Sequence, residues 1–203
     1  MYSGMDNMET PSFPNSVFSD VFSEANDLNR YGFAAWVLYP GMEFGAQNVW
    51  WGGQAKRARP HEGVDLRFYR GTDNRIFAID EGAKIPVMYS GVIVKIIGDF
   101  LGKTIIIEHR FPDNGESVFL SLYGHTSPVE GLETGRIVKT GEIIAAVAAS
   151  KGTNSPAHHL HLSLAWSRKP VLYGTLDWTT VNDPDVVRLV DPRPVIGASE
   201  NMG

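Results

Sequence analysis

No cysteine occurs among the 203 residues. That excludes disulfides and thiolate metal sites, so a metal site in this chain must be built from histidine and carboxylate. No apolar run approaches the length needed to cross a bilayer. Positive charge is scarce, with 18 Lys and Arg against 23 Asp and Glu and a net charge of -5. A nucleic-acid binder needs a basic face for its phosphate contacts, so that class is disfavoured. The densest basic cluster, Lys56, Arg57 and Arg59, is short and reads as a solvated loop, although its place just ahead of His61 would let it touch an acidic substrate. No Lys or Arg precedes Arg30 and no long apolar run follows it, so an intact signal peptide is not expected. No repeat of solenoid period is present.

What is present is an ordinary globular composition, 43% hydrophobic and 20% charged, enough for one well-buried domain. Residues 1–16, rich in Ser, Asn, Pro and Met, are expected to be a loosely attached lead. From Val17, apolar Phe18, Val21, Phe22, Ala25 and Leu28 recur at helical spacing, with Ser16 as N-cap. From Phe33 onward short β-rich runs are divided by Gly, Pro, Asn and Asp. Strands are expected at 33–39, 64–68, 75–79, 87–97, 104–109, 117–123, 143–148 and 159–166, with turns at Pro40-Gly41, Gly52-Gly53, Asp113-Asn114-Gly115 and Gly141. Strands so spaced, without helices between them, predict an all-β protein, an antiparallel sandwich or roll with a groove. A short late helix is expected to start at Asp183. The organisation is thus an N-terminal extension with a short helix over residues 1–32 and one domain over 33–203.

The most informative stretch is His158-His159-Leu160-His161-Leu162-Ser163-Leu164. Leu160, Leu162 and Leu164 alternate with His159, His161 and Ser163, the period of a half-buried strand, so His159 and His161 share a face and His158 is turned away. Their Cα atoms stand roughly 6.6–6.8 Å apart. One can bind a metal while the other reaches its water. Earlier, Pro60-His61-Glu62-Gly63-Val64-Asp65 sets an imidazole and a carboxylate four residues apart on a loop running into a strand. Together with one histidine of the later strand they make three N and O ligands around an open position, the pattern of a catalytic rather than a structural zinc site. A further histidine, His125, ends the β run of Leu122-Tyr123-Gly124 and suits a groove edge. Trp50-Trp51 ahead of two glycines is either a stacking loop for substrate or an anchor in the core.

These patches resemble the LytM/lysostaphin-type zinc metallopeptidases. The likeness lies in His61-Glu62-Gly63-Val64-Asp65, Tyr123-Gly124-His125 and His159-Leu160-His161, in that order, and in framework around Gly91-Val92-Ile93-Val94, residues 135–141 and residues 189–194. It covers roughly residues 55–196. Residues 31–59 are aromatic-rich and depart from the family pattern. In some relatives a preceding segment covers the groove and supplies a fourth ligand, a part for which Asn48 is a candidate.

The resemblance implies one Zn2+ per chain held by His61, Asp65 and His161, with His125 and His159 as the catalytic pair. It implies hydrolysis of peptide bonds in bacterial peptidoglycan, commonly beside glycine or a D-amino acid, and an extracytoplasmic place of action. A neutral imidazole, with an ordinary pKa near 6.5, suits the general base. His159 is the first choice for that duty, and His125 would face the oxyanion or the leaving amine. Glu62 should diverge from its neighbours, and His109, at a strand end, is expected to be structural. One rival is a catalytically silent relative that binds peptidoglycan or activates another hydrolase, but such proteins usually lack zinc ligands that this chain retains. Another is a carrier whose paired histidines accept phosphate, which would not need Asp65.

Overall fold

The computed structural model describes residues 13–53, 55–111, 117–152, 155–167 and 170–202. The expected lead falls mostly outside these residues, as does the expected turn at Asp113-Asn114-Gly115. The described chain begins with helix α1 (Phe18–Ala25) and continues through strands β1 (Phe33–Leu38), β2 (Val64–Leu66), β3 (Phe68–Gly71), β4 (Ile76–Ala78), β5 (Lys84–Pro86) and β6 (Gly91–Gly98). Strands β7 (Lys103–His109), β8 (Val118–Pro128), β9 (Ile137–Val138), β10 (Ile143–Val147) and β11 (Leu160–Ser167) follow, then helix α2 (Trp178–Val181), β12 (Arg188–Val190) and β13 (Ser199–Asn201).

The strands form two sheets. The smaller runs β13-β1-β3-β4, and the larger runs β12-β11-β8-β7-β6-β9, with β2 paired to β11 and β10 bridging β5 and β8. All of these pairings are antiparallel except β1 with β13. The expectation of an all-β antiparallel fold with a short N-terminal helix therefore holds.

The large sheet is covered on both faces, which explains the near-continuous apolar run of β7. Ile105 and Ile107 face the main core with Phe119, Tyr123, Leu162 and Leu164. Ile106 packs on the opposite face with Leu120, Leu122 and Ala165, beneath Val171, Leu176 and Val181 from the chain after β11. That covering segment closes over the polar side of β11. His159, His161 and Ser163 are consequently buried rather than solvated.

Helix α1 presents a narrower face than its sequence suggests. Phe18 and Phe22 are buried with Ser19 and Ser23, while Val17 is exposed and Val21 only half-buried. The serines are inside because they are bonded: Trp36 Nε1 donates to Ser19 Oγ at 2.7 Å, and Ser19 donates to the Ile196 carbonyl. The N-cap is Val17 rather than the expected Ser16: the Val17 carbonyl takes the first helical N–H, from Val21, while Ser16 Oγ accepts the Phe18 N–H at 3.0 Å one residue outside the cap.

The late helix is a correction. It occupies Trp178–Val181, with Asp177 accepting from the N–H groups of Thr179 and Thr180 in a capping box. Asp183 instead opens a single turn, its carbonyl taking the N–H of Val186 and Val187 before β12 begins. The stretch expected as one strand over 87–97 is also divided. The strand starts at Gly91; before it, Val87 exchanges backbone hydrogen bonds with Gly141 and Glu142, and the Met88 N–H goes to Tyr123 Oη at 2.8 Å.

Candidate metal centre and its cleft

Strand register assembles the centre. Asp65 on β2 is the direct partner of His161 on β11, and His161 is in turn the partner of Gly124 on β8. Opposed residues in an antiparallel pair share a face, so the three lie in one row. Gly124 keeps that row open, since a Cβ there would stand 3.2 Å from His161 Cβ. His61 arrives from the loop before β2, its backbone bonded to Ala46 and Gly45.

Three donor atoms converge. His61 Nε2 lies 3.1 Å from Asp65 Oδ1 and 3.1 Å from His161 Nδ1, and His161 Nδ1 lies 2.8 Å from Asp65 Oδ1. The second nitrogen of each ring fixes what the first can do. His61 Nδ1 faces the Glu43 carbonyl at 3.0 Å; a carbonyl only accepts, so the proton sits on Nδ1 and Nε2 offers a lone pair. His161 Nε2 is bonded to Ser163 Oγ at 2.9 Å, a hydroxyl able to accept its N–H and leave Nδ1 with the lone pair. A lone pair aimed at a carboxylate oxygen 3.1 Å away needs a cation between them. His61, Asp65 and His161, all buried, with donor atoms within 4.8 Å of one another, form a group fitted to a metal ion.

The electrostatics agree. Burial alone would raise the Asp65 carboxyl; the imidazoles of His61, His159 and His161 gathered around it outweigh that and hold the group well below the usual carboxylate range. Burial pushes His161 down to about 4 against the pull of Asp65, so its imidazole is neutral near pH 7, the form that ligates.

Two further histidines border the group. His159 Nδ1 donates to the Ala157 carbonyl at 2.8 Å, leaving Nε2 as an acceptor 3.5 Å from Asp65 Oδ1. The His125 ring centroid is 4.7 Å from that of His159 and 5.7 Å from that of His161. Simple alternation along β8 would place His125 on the core side with Tyr123. It escapes through a left-handed backbone, φ 60°, which turns the ring onto the face of His161. Asp99 holds it there: Asp99 Oδ2 accepts the His125 N–H at 2.8 Å, and Oδ1 stands 3.2 Å from His125 Nδ1. Burial lowers the His125 pKa, with Asp99 pulling the other way.

Above these groups is a cleft of about 530 Å³, walled by Trp51, Arg57, Arg59, Glu62, Phe100 and Trp178. Arg57 and Arg59 therefore border the cleft rather than only solvent. Asn48, the candidate fourth ligand, is exposed, pairs through its backbone with Lys56 and is not among the described residues lining the cleft. Glu62 accepts from Asn182 Nδ2 at 3.0 Å and ties the His61 loop to α2. His109 is structural, bonded to the Ser90 carbonyl and to Ser121 Oγ. His158 is turned away, toward the Ile79 carbonyl.

The family model for peptidase family M23 matches residues 59–173, more than half of the chain. The chain belongs to this family. All five histidine and aspartate side chains expected at an M23 site lie inside the matched region and in the one cleft. Among solved structures, the catalytic domain of the antimicrobial peptidase lysostaphin from Staphylococcus simulans is 21% identical, the match covering 86% of this chain and 98% of that one at a TM-score of 0.47. A variant of the catalytic domain of the prophage-encoded M23 protein EnpA from Enterococcus faecalis is 23% identical over 60% of this chain and 75% of its own, with a TM-score of 0.38. A zinc-containing peptidase from Vibrio cholerae is 21% identical over 71% and 41%, with a TM-score of 0.42. Comparison with curated proteins found no match.

Around the M23 motifs the structure adds groups that sequence reasoning missed. Ser163 orients His161, and Asp99 holds His125. Trp50, expected either to stack on substrate or to anchor in the core, is half-buried against the main core and donates its indole N–H to Asp65 Oδ2 at 2.7 Å. Asp99 carried one weak signal, an Asp in a short loop between apolar runs, which is common in turns.

Proposed function

We propose that this protein is a zinc-dependent endopeptidase that hydrolyses peptide bonds of bacterial peptidoglycan, acting outside the cytoplasm through a catalytic unit spanning residues 33–203, with residues 1–32 as an N-terminal extension. One Zn2+ per chain would be held by His61, Asp65 and His161. The observation that carries the reading is the convergence of two imidazole lone pairs and a carboxylate oxygen beneath an open cleft, with two more histidines at its edge. Donor separations of 2.8–3.1 Å fall a little inside the roughly 3.3 Å edge of a tetrahedron drawn with zinc–nitrogen bonds of about 2.05 Å. Membership of a peptidase family supports the hydrolytic reaction.

When bound, zinc lowers the pKa of a water and polarises an amide carbonyl. The protein does the rest. His159 accepts the proton of the attacking water at Nε2, because its Nδ1–H is committed to Ala157. His125, braced by Asp99, supplies the hydrogen bond to the carbonyl oxygen as charge develops there, or the proton to the leaving amine. Trp51, Phe100 and Trp178 give the cleft apolar walls that exclude water from the peptide.

The test is digestion of purified sacculi of several wall types, with newly exposed amino termini identified by mass spectrometry in the presence and absence of a zinc chelator. New ends that disappear with chelator support the reading and name the bond. Zinc-loaded protein that releases no ends from any wall type refutes it.

A further inference from the structure

The least family-like part of the chain makes the closest approach to the carboxylate of the metal centre. Residues 48–53 and 55–56 form the two arms of a hairpin, closed by the Asn48–Lys56 bridge and the Val49 N–H to Ala55 carbonyl bond, with Gly52 and Gly53 in left-handed conformations. Its base is pressed onto residues 41–46, the same residues whose backbone binds His61 and Asp65. Gly41 is in the left-handed region at φ 97°, and a Cβ there would meet the Trp50 amide nitrogen at 2.7 Å. The Asp65 N–H is bonded to Met42, the His61 N–H to Ala46 and His61 Nδ1 to Glu43.

Trp50 leaves this hairpin with its indole aimed at the centre. The two oxygens of Asp65 are sorted between different neighbours. Oδ1 faces His61, His161 and His159 at 3.1, 2.8 and 3.5 Å. Oδ2 takes the Trp50 Nε1–H at 2.7 Å, while the nearest cation to it, Arg57, stands at 3.7 Å and donates from Nε to the Asn48 carbonyl and from Nη2 to the Gly41 carbonyl. The Trp50 ring also lies edge-on to His159, centroids 5.3 Å apart. Trp51 and, over it, Arg57 brace the hairpin from the other side.

We infer that Trp50 is a positioning residue that holds Asp65 as a one-oxygen ligand. Its N–H occupies Oδ2, so only Oδ1 is presented to the metal, and the coordination position on which hydrolysis depends stays open to water. The inference rests on the proposed zinc site and adds to it the residue that sets the ligand's denticity. An outer partner of a metal ligand typically governs ten- to hundredfold in metal affinity. A freed second oxygen, by contrast, would chelate the metal and raise its coordination number.

The experiment compares the metal-free wild-type protein with W50F, which keeps a smaller aromatic ring against His159 and lacks the N–H. Zinc is titrated against a chelating dye, and the visible spectrum of the cobalt(II)-loaded protein reports coordination number. The wild type should bind one zinc with the intense cobalt bands of a four-coordinate site. W50F should show weakened cobalt bands as Oδ2 joins the metal, and a zinc affinity that differs from the wild type's by about tenfold or more. Equal zinc affinity and an unchanged cobalt spectrum in W50F overturn the role of Trp50 while leaving the zinc site standing. A wild-type protein that takes up no zinc removes the site itself and this inference with it. Should W50F fail to fold, hydrogen exchange of the Trp50 indole in the wild type decides: protection supports the bond to Asp65, and exchange at the rate of a free indole overturns it.

Discussion

Gly63 stands between two of the metal-centre residues, and replacing it with alanine tests how tightly strand packing sets the centre. Its backbone is not left-handed, so the demand for glycine is one of space. A Cβ would lie 2.2 Å from the Leu162 carbonyl oxygen and 2.6 Å from Ser163 Oγ. Reaching even 3.0 Å from that oxygen requires β2 and β11 to part by 0.8 Å (3.0 − 2.2). Both sides of the clash are held by the ladder that pairs Val64 with Leu162 and Asp65 with His161. Shifted by 0.8 Å, the donor separations of 2.8 and 3.1 Å between His161 and its two partners become 3.6 and 3.9 Å, wider than the roughly 3.3 Å edge that zinc spans. Overpacking of this kind costs about 1–3 kcal/mol. Urea unfolding of metal-free G63A should show a loss in that range, and dye competition should show zinc binding weakened at least tenfold, on the order of 1.4 kcal/mol. Unchanged unfolding and unchanged zinc affinity together would refute the claim that the approach of β2 to β11 builds the centre.

Other perturbations separate the remaining roles. H161A should lose zinc and cleavage together, whereas H159A should keep its zinc and lose cleavage by about 100-fold or more; elemental analysis beside a peptidoglycan assay checks the split, and zinc loss in H159A would contradict the base assignment. D99A removes the acceptor of four hydrogen bonds, from the N–H groups of Leu101, Gly102 and His125 and from Thr104 Oγ1, and should lower kcat about 100-fold through misplacement of His125 while zinc content holds. Burial pushes His109 down to about 4 from its usual 6.5. Between those values the unfolded chain binds a proton that the folded protein refuses, so stability is present above pH 6.5 and is lost as pH falls toward 4. The loss is about 3 kcal/mol, from 2.5 units at 1.36 kcal/mol each. Chemical denaturation across that window should show a pH slope in H109Q flatter than the wild type's by this contribution.

The features legible in the sequence were those with a local signature. The alternation of leucine with histidine and serine gave β11 and the common face of His159 and His161 because a strand's period is intrinsic to its backbone. Spacing likewise placed His61 and Asp65 on a loop entering a strand. What was not legible depends on partners distant in sequence. β5, β9, β12 and β13 are two or three residues long and exist because a longer strand lies alongside. The reach of Asp99 to His125 depends on the β6–β7 turn meeting the end of β8, and Trp50 reaches Asp65 only because one hairpin folds under another. The late helix was expected at Asp183 from an acidic start before apolar residues. The stronger capping group six residues earlier, Asp177, took that role. The face of His125 was also hidden, since a left-handed residue at a strand end reverses what alternation predicts.

One edge of β11 is shared by two short strands, β2 along Leu160–Leu162 and β12 along Leu164–Trp166. Both run opposite to β11, so β12 leads into β2 as though one strand had been cut and its halves taken from opposite ends of the domain. This ties completion of the centre to the order in which the chain folds. Asp65 meets His161 across 96 residues and His61 meets it across 100, and the edge they share is finished only when residues 188–190 dock beside it. Contacts across that many residues slow folding, because the loop entropy is paid before they form. Uptake of an ion by the candidate site during refolding would report when β2 closes on β11.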